Sequence, residues 1–325
     1  MFNCEDYFNN LPLDTIKIDV SNKDLSNLPD ISRFINLKSL NCRINKLISL
    51  PPLNKYLQKL DCNNNQLESL PILNNNLQTL NCSNNKLTRL PTLNKNLIEL
   101  YCSNNQLTSL PPLNEHLHNL FCSQNKLTSL PSLNENIQSI YCYNNNLTYL
   151  PVLNKNLKEL YCYNNQLISL PLLNEHLLTL VCSQNQLTSL PPLNKNLKEL
   201  VCFKNQLTSL PILNKHLLTL DCSDNQLMSL QNLDNNLVIF MCNNNPIFDI
   251  IYNVNLNIIK INIKILNKFR YLYFLLKFKK LFYNWYWPIK EKLVKIKYTP
   301  DNLFKLLNSI DINNNDLTDN VIKNW

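Results

Sequence analysis

A cysteine recurs every twenty residues from Cys42 to Cys242, and an asparagine stands three places after each, from Asn45 to Asn245. The interval never slips. A pattern held in phase over that length requires one small unit, copied and stacked so that each copy contacts only its neighbours. A single closed globular core is excluded, and function has to be sought on a surface.

One unit, beginning at Leu97, reads LIELYCSNNQLTSLPPLNEH. Its frame is L-x-x-L-x-C-x-x-N-x-L-x-x-L-P-x-L-N-x-x, and eleven copies begin at Leu37, Leu57, Leu77, Leu97, Leu117, Ile137, Leu157, Leu177, Leu197, Leu217 and Leu237. A degenerate copy two residues longer precedes them, with Ile18, Val20, Leu25 and Leu28 at the equivalent places. The x-L-x-C-x stretch alternates, which predicts a short strand with Leu40 and Cys42 inward and residues 39, 41 and 43 outward. In-register copies form a parallel sheet at ~4.8 Å per strand, on the order of 50 Å for eleven strands. The Asn of each unit follows the strand at a turn, where an unpaired buried amide costs ~1–3 kcal/mol; a ladder of side-chain to backbone hydrogen bonds is expected. The L-P-x-L return leaves too few residues for a helix and puts Pro where a helix needs an N–H, so it is expected to be extended or polyproline-like. The expected fold is an α/β-type repeat solenoid, strand-dominated, with a concave parallel sheet, short non-helical convex segments and a small helical C-terminal region.

This frame resembles the leucine-rich repeat, with Cys at its third apolar position. It is similar to the twenty-residue class found in bacterial type III effectors of the IpaH/YopM type, and the likeness covers about residues 13–250. Cys in place of Val, the Asn-rich loops and the tail (YNWYWPIKEKLVKIKYTPDNLFKLL, then NNNDLTDNVIKNW) look closest to leucine-rich repeat proteins of mimivirus, a giant amoebal virus. The resemblance implies a binding solenoid. The effectors that are enzymes carry a ubiquitin-ligase domain with a catalytic Cys after their repeats. Here neither Cys nor His occurs beyond Cys242, so that activity does not carry over. A chain without Gly also has no P-loop, G-x-S-x-G or kinase signature, and the expectation is a non-enzyme.

The absence of Gly has a structural consequence. Turns that need a positive φ must fall to Asn or Asp, the next most tolerant residues. The net charge of +8 is unevenly placed. Residues 1–250 hold 18 basic and 18 acidic side chains, whereas 251–325 hold 13 and 5. Three segments follow: an N-terminal cap with the degenerate repeat (1–36), eleven repeats (37–256) and a basic, aromatic C-terminal cap or helical region (257–325). The opening MFNCEDYFNN has two acids and no apolar core, unlike a signal peptide. No stretch is long and apolar enough to span a membrane. The expectation is an intracellular, non-secreted chain, placed by the viral resemblance in a host cytoplasm, with reduced thiols.

Stacked cysteines invite a metal wire or a disulfide ladder. Zinc sites, however, use four ligands with close C-x2–4-C pairs, which are missing here. In a reducing cell a small buried hydrophobe is the plainer role. His116, His176 and His216 share one loop position and His118 lies at a strand edge; surface residues are expected, with a His116–His118 metal contact as the remote alternative. No cofactor or metal is expected.

Specificity should then lie in the outward columns. The column through residue 41 carries Tyr101, Phe121, Tyr141 and Tyr161 in succession, and the column through 43 carries Tyr143, Tyr163 and Phe203. Glu99, Glu159 and Glu199 border them at column 39. Exposed aromatics rimmed by polar groups are the composition of interface centres, and an unknown host or viral protein is the expected partner of a monomeric solenoid. Cross-strand stacking alone would also gather such rings.

Beyond Leu256 the repeat ends. A last capping strand is expected, then a helix from about Leu266 to Trp287, a helix start at Thr299–Pro300–Asp301 and a short helix over 316–325. Residues 260–297 hold eleven basic groups against Glu291 alone, interleaved with aromatics. Lys277, Lys279, Lys280, Trp285 and Trp287 are candidate contacts for RNA or an anionic membrane surface, the alternative role for the chain. Aromatics packed over the open end of the solenoid, with Lys stems reaching outward, account for the same pattern.

Overall fold

The structure, a computed structural model, describes residues 2–252 and 255–271. Two compact units divide the chain, Met1–Ile263 and Lys264–Trp325. In the first, twelve three-residue strands form one parallel sheet in strict chain order, from β1 (Lys17–Asp19) and β2 (Ser39–Asn41) to β12 (Ile239–Met241). Every neighbouring pair is offset by twenty residues, except that Lys17 faces Ser39 across the longer degenerate copy. The sheet exists because the same apolar positions face inward at each turn. Leu40, Cys42 and Leu47 and their equivalents are almost wholly buried through the array, except that Phe240 of the last strand is half-buried, and Val20 takes the place of Cys in the first copy. The convex return holds no helix, as the Leu-Pro step requires.

The turn after each strand passes through the left-handed region at column 44, with φ of 52–55°. Asn or Asp fills the position in seven of the eleven repeats, but Ile44, Gln124, Gln184 and Lys204 occupy the others. Ile44 is the costly one, because its branched Cβ crowds the carbonyl there. Ile44→Asn is expected to raise stability by about 1 kcal/mol, read as a higher urea midpoint. An unchanged midpoint would show that the backbone relaxes around the isoleucine.

Helical segments flank the stack at both ends. At the N-terminus α1 (Cys4–Asn10), capped by the Asn3 side chain accepting from the Asp6 N–H, buries Phe8 against Phe34. The Arg33 guanidinium donates to the Phe8 carbonyl. After the last strand α2 (Phe248–Ile251) buries Ile251, and residues 256–271 are helical. This corrects the expected capping strand and the helix start at Leu266. The alternation of Ile261, Ile263 and Ile265 mimics a strand. Burial instead recurs at 256, 259, 260 and 263, a helical spacing. Lys260, only 6% exposed, donates to the Asn235 and Leu237 carbonyls, which have no further repeat to pair with. The expected tail contacts Lys277, Lys279, Lys280, Trp285 and Trp287, and the two later helix starts, lie outside the described residues.

Candidate functional site

The asparagine ladder sets the geometry of the concave face. Asn85 is typical: its Nδ2 donates to the Cys62 and Cys82 carbonyls, each at 3.1 Å, and its Oδ1 accepts from the Leu67 N–H at 2.9 Å. One amide therefore ties two consecutive turns, and the same bonds recur from Asn65 to Asn245. Two further ladders are not evident from the repeat frame alone. Asn154 donates to the Asn134 and Ile137 carbonyls while accepting from the Asn156 N–H. Asn156 donates to the Glu135 carbonyl, and His176 takes that role in the next turn through Nδ1 and the Lys155 carbonyl. The recurring L-N-x-[NH] loop carries the signal, masked by the general abundance of Asn.

The eleven repeat cysteines are free and buried, and Cys4 is free and partly exposed. Burial drives the thiols upward: Cys42, Cys82, Cys142, Cys182 and Cys242 are pushed to about 12, and the remaining six well above the ordinary value. Among the described residues no group of three or more His, Cys, Asp or Glu is placed to hold a metal ion. His118 Nδ1 lies 2.7 Å from the His116 carbonyl, which leaves its Nδ1 a donor.

The aromatic columns lie on neighbouring strands in register. Tyr101 stacks on Phe121 at 4.6 Å, Phe121 on Tyr141 at 4.7 Å, and Tyr141 on Tyr161 at 4.4 Å. Tyr143 and Tyr163 form a second stack at 4.4 Å and 6°. Phe203 stands two strands beyond Tyr163, across Ser183. Each ring is half-buried rather than exposed; in the two stacks this is because the strand spacing nearly equals the stacking distance and the rings cover one another's faces, whereas Phe203 has only serines beside it in its column. The surface thus presents ring edges and hydroxyls. At the column ends the outer neighbours are Asn81 and Val181, so Tyr101 and Tyr161 each keep one face uncovered by a ring.

The acidic border joins the stack directly. Glu159 accepts from Tyr141 Oη and Ser139 Oγ, each at 3.0 Å, and Glu99 accepts from Thr79 Oγ1 at 3.4 Å. Burial, then the Glu159 hydrogen bond, lift the Tyr141 phenol well above its ordinary value. Burial, then Glu199 and Glu159, raise Tyr161, and burial with Glu99 raises Tyr101. From Glu99 to Asn243 the three outward columns carry Glu99, Glu159, Glu199 and Asp221 and no basic residue.

A family profile described as "Leucine Rich repeats (2 copies)" matches residues 75–115 and 95–135. No curated protein matches the chain. Among solved structures, YopM from Yersinia enterocolitica is 32% identical over 74% of this chain and 58% of that one, with a TM-score of 0.69. The present chain thus spans little more than half of that relative. YopM of Yersinia pestis, described as a leucine-rich effector protein, is 29% identical over 71% of this chain and 78% of that one, with a TM-score of 0.59. A chain of the Drosophila Toll–Spatzle complex, 24% identical over 63% of this chain and 32% of that one with a TM-score of 0.51, shares the fold alone. Leucine-rich repeat proteins are commonly interaction scaffolds and generally non-catalytic, and no helix among the described residues is long and apolar enough to cross a membrane. By its twenty-residue units and its parallel sheet, the chain is a leucine-rich repeat protein, a structural neighbour of the YopM solenoids.

Proposed function

We propose that the chain is a non-catalytic scaffold that holds a partner protein on its concave aromatic face, centred on Tyr141 and Tyr161. The observation that carries this is the coincidence of the two ring stacks with a border that is acidic and free of basic side chains. Stacked rings are rigid and already partly desolvated, so little ordering entropy opposes binding, as at interface hot spots. The acidic border suits a basic partner surface, with a cation beside the Tyr161 ring and Glu199. The likeness of the Cys-bearing repeats and tail to mimivirus proteins makes the amoebal host cytoplasm the proposed place of action and a host or viral protein the proposed partner.

A photo-crosslinking residue at position 163 is expected to trap one discrete protein from amoebal lysate, whereas the same residue at position 212, on the exposed convex ridge, traps none. Combining it with Tyr101→Ser and Tyr161→Ser should abolish the adduct without changing the circular dichroism spectrum. Equal trapping at both positions, or an adduct untouched by the serines, would overturn the assignment.

A further inference from the structure

The edge of the sheet where chain enters each strand carries a second surface of opposite sign. A groove of about 540 Å³ there is lined by Lys158, His176, Leu178, Lys198, His216 and Leu218, with Asn196 and Asn236. Its residues repeat at forty, not twenty: Lys158 with Lys198, His176 with His216, Leu178 with Leu218, Asn196 with Asn236. The sequence shows why. Residues 155–160 (KNLKEL) recur at 195–200, and 175–180 (EHLLTL) recur nearly unchanged at 215–220 (KHLLTL), so two turns form the unit here.

Along the groove the side chains therefore alternate Lys, Leu, Lys, Leu at ~4.8 Å, which separates like residues by about 10 Å. Lys155, Lys195 and Lys215 stand beside it, Lys155 paired with Glu135 of the preceding turn at 3.9 Å, so over 155–218 these two columns hold five lysines against Glu175. Glu159 and Glu199 lie on the adjoining column, but Glu159 is engaged with Tyr141 and Ser139 across the concave face. The His176 Nδ1 donates to the Lys155 carbonyl, which fixes the ring in the groove wall.

We infer that this groove docks an acidic amphipathic helix running along the solenoid axis, with the heptad pattern E-x-x-L-x-x-x. On a helix, positions i, i+3, i+7 and i+10 share one face and rise by about 0, 4.5, 10.5 and 15 Å, matching the Lys-Leu-Lys-Leu sequence of sites. An extended strand does not match, since its same-face residues fall at roughly 6.7 and 13.4 Å. The groove is separate from the aromatic face and the inference does not depend on it.

The test is fluorescence anisotropy of the full chain with a labelled 21-residue peptide of three E-x-x-L-x-x-x heptads on an Ala/Gln background. Saturable binding is expected, weakening as salt is raised. Lys158→Glu with Lys198→Glu, both exposed positions, should weaken it at least about tenfold at unchanged circular dichroism. Tyr101→Ser with Tyr161→Ser should leave it unaltered. Absence of binding, equal affinity for a peptide of the same composition with Glu at i and i+5, or an equal affinity for a U12 oligoribonucleotide would overturn the inference, the last by assigning the edge to phosphate polyanions.

Discussion

Raising the pH is expected to unfold the repeat array abruptly between about pH 9 and pH 10.5, far below the range in which an individual buried thiol would ionise. In the folded chain five of the eleven repeat cysteines are pushed up to about 12 and the others well above the ordinary value of 9.0. Their charged form is disfavoured because desolvation leaves the thiolate without water or a cation. Above pH 9 the unfolded chain therefore releases protons that the folded chain keeps, and stability falls with pH until the folded pKa is passed. At pH 10 each cysteine contributes roughly 1.4 kcal/mol to this loss, and eleven together about 15 kcal/mol, as large as the whole stability of many domains. Below about pH 7.5 both states are protonated and the loss vanishes. Far-ultraviolet circular dichroism against pH measures the transition. Replacing Cys122, Cys142 and Cys162 by Val, of similar bulk and without a proton, should move the midpoint upward. A midpoint that stays in place in the triple variant would show that tyrosine or lysine ionisation drives the unfolding instead.

The same columns show how much of the architecture a reader of the chain can recover. Alternation around Ile140 and Cys142 identifies the buried side, and the twenty-residue phase then dictates the strand order and register. The ladder at Asn145 follows because a buried amide at a turn must find partners. Burial of the aromatic rings does not follow, since whether Tyr141 lies open or covered depends on how closely Phe121 and Tyr161 approach, a matter of strand spacing rather than residue type. The helix over 256–271 is obscured for a different reason: Ile and Lys alternate there at a period of two while burial follows 3.6. Helix α1 carries too few residues for any period, and only the Asn3 cap marks it. The groove at Lys158 and Lys198 emerges only when loop and strand columns from four turns are brought side by side.

Asn145→Asp is expected to cost about 3–5 kcal/mol at pH 7, the cost of leaving a buried charge against unmatched polar groups. In the native chain Asn145 Nδ2 donates to the Cys122 and Cys142 carbonyls at 3.1 Å, and Oδ1 accepts from the Leu127 N–H at 3.0 Å. Aspartate preserves the shape and the acceptor but turns the donor into an anion facing carbonyl oxygens. Its pKa must rise in the folded state, so between about pH 4 and that raised value stability falls as pH increases, and acidification restores part of the loss. Asn144→Asp supplies the control one residue away. Asn144 sits at φ 54°, which aspartate tolerates, and its Oδ1 accepts from Asn164, so the change should fall within about 0.5 kcal/mol. Position in the stack adds a second signature. Because each turn contacts only its neighbours, weakening the bond between the turns of Cys122 and Cys142 should split urea unfolding into two transitions, one for the turns before the break and one for those after it. A single transition at the wild-type midpoint for Asn145→Asp, with Asn144→Asp equally silent, would mean that leucine packing alone holds the turns together and the amide ladder is dispensable.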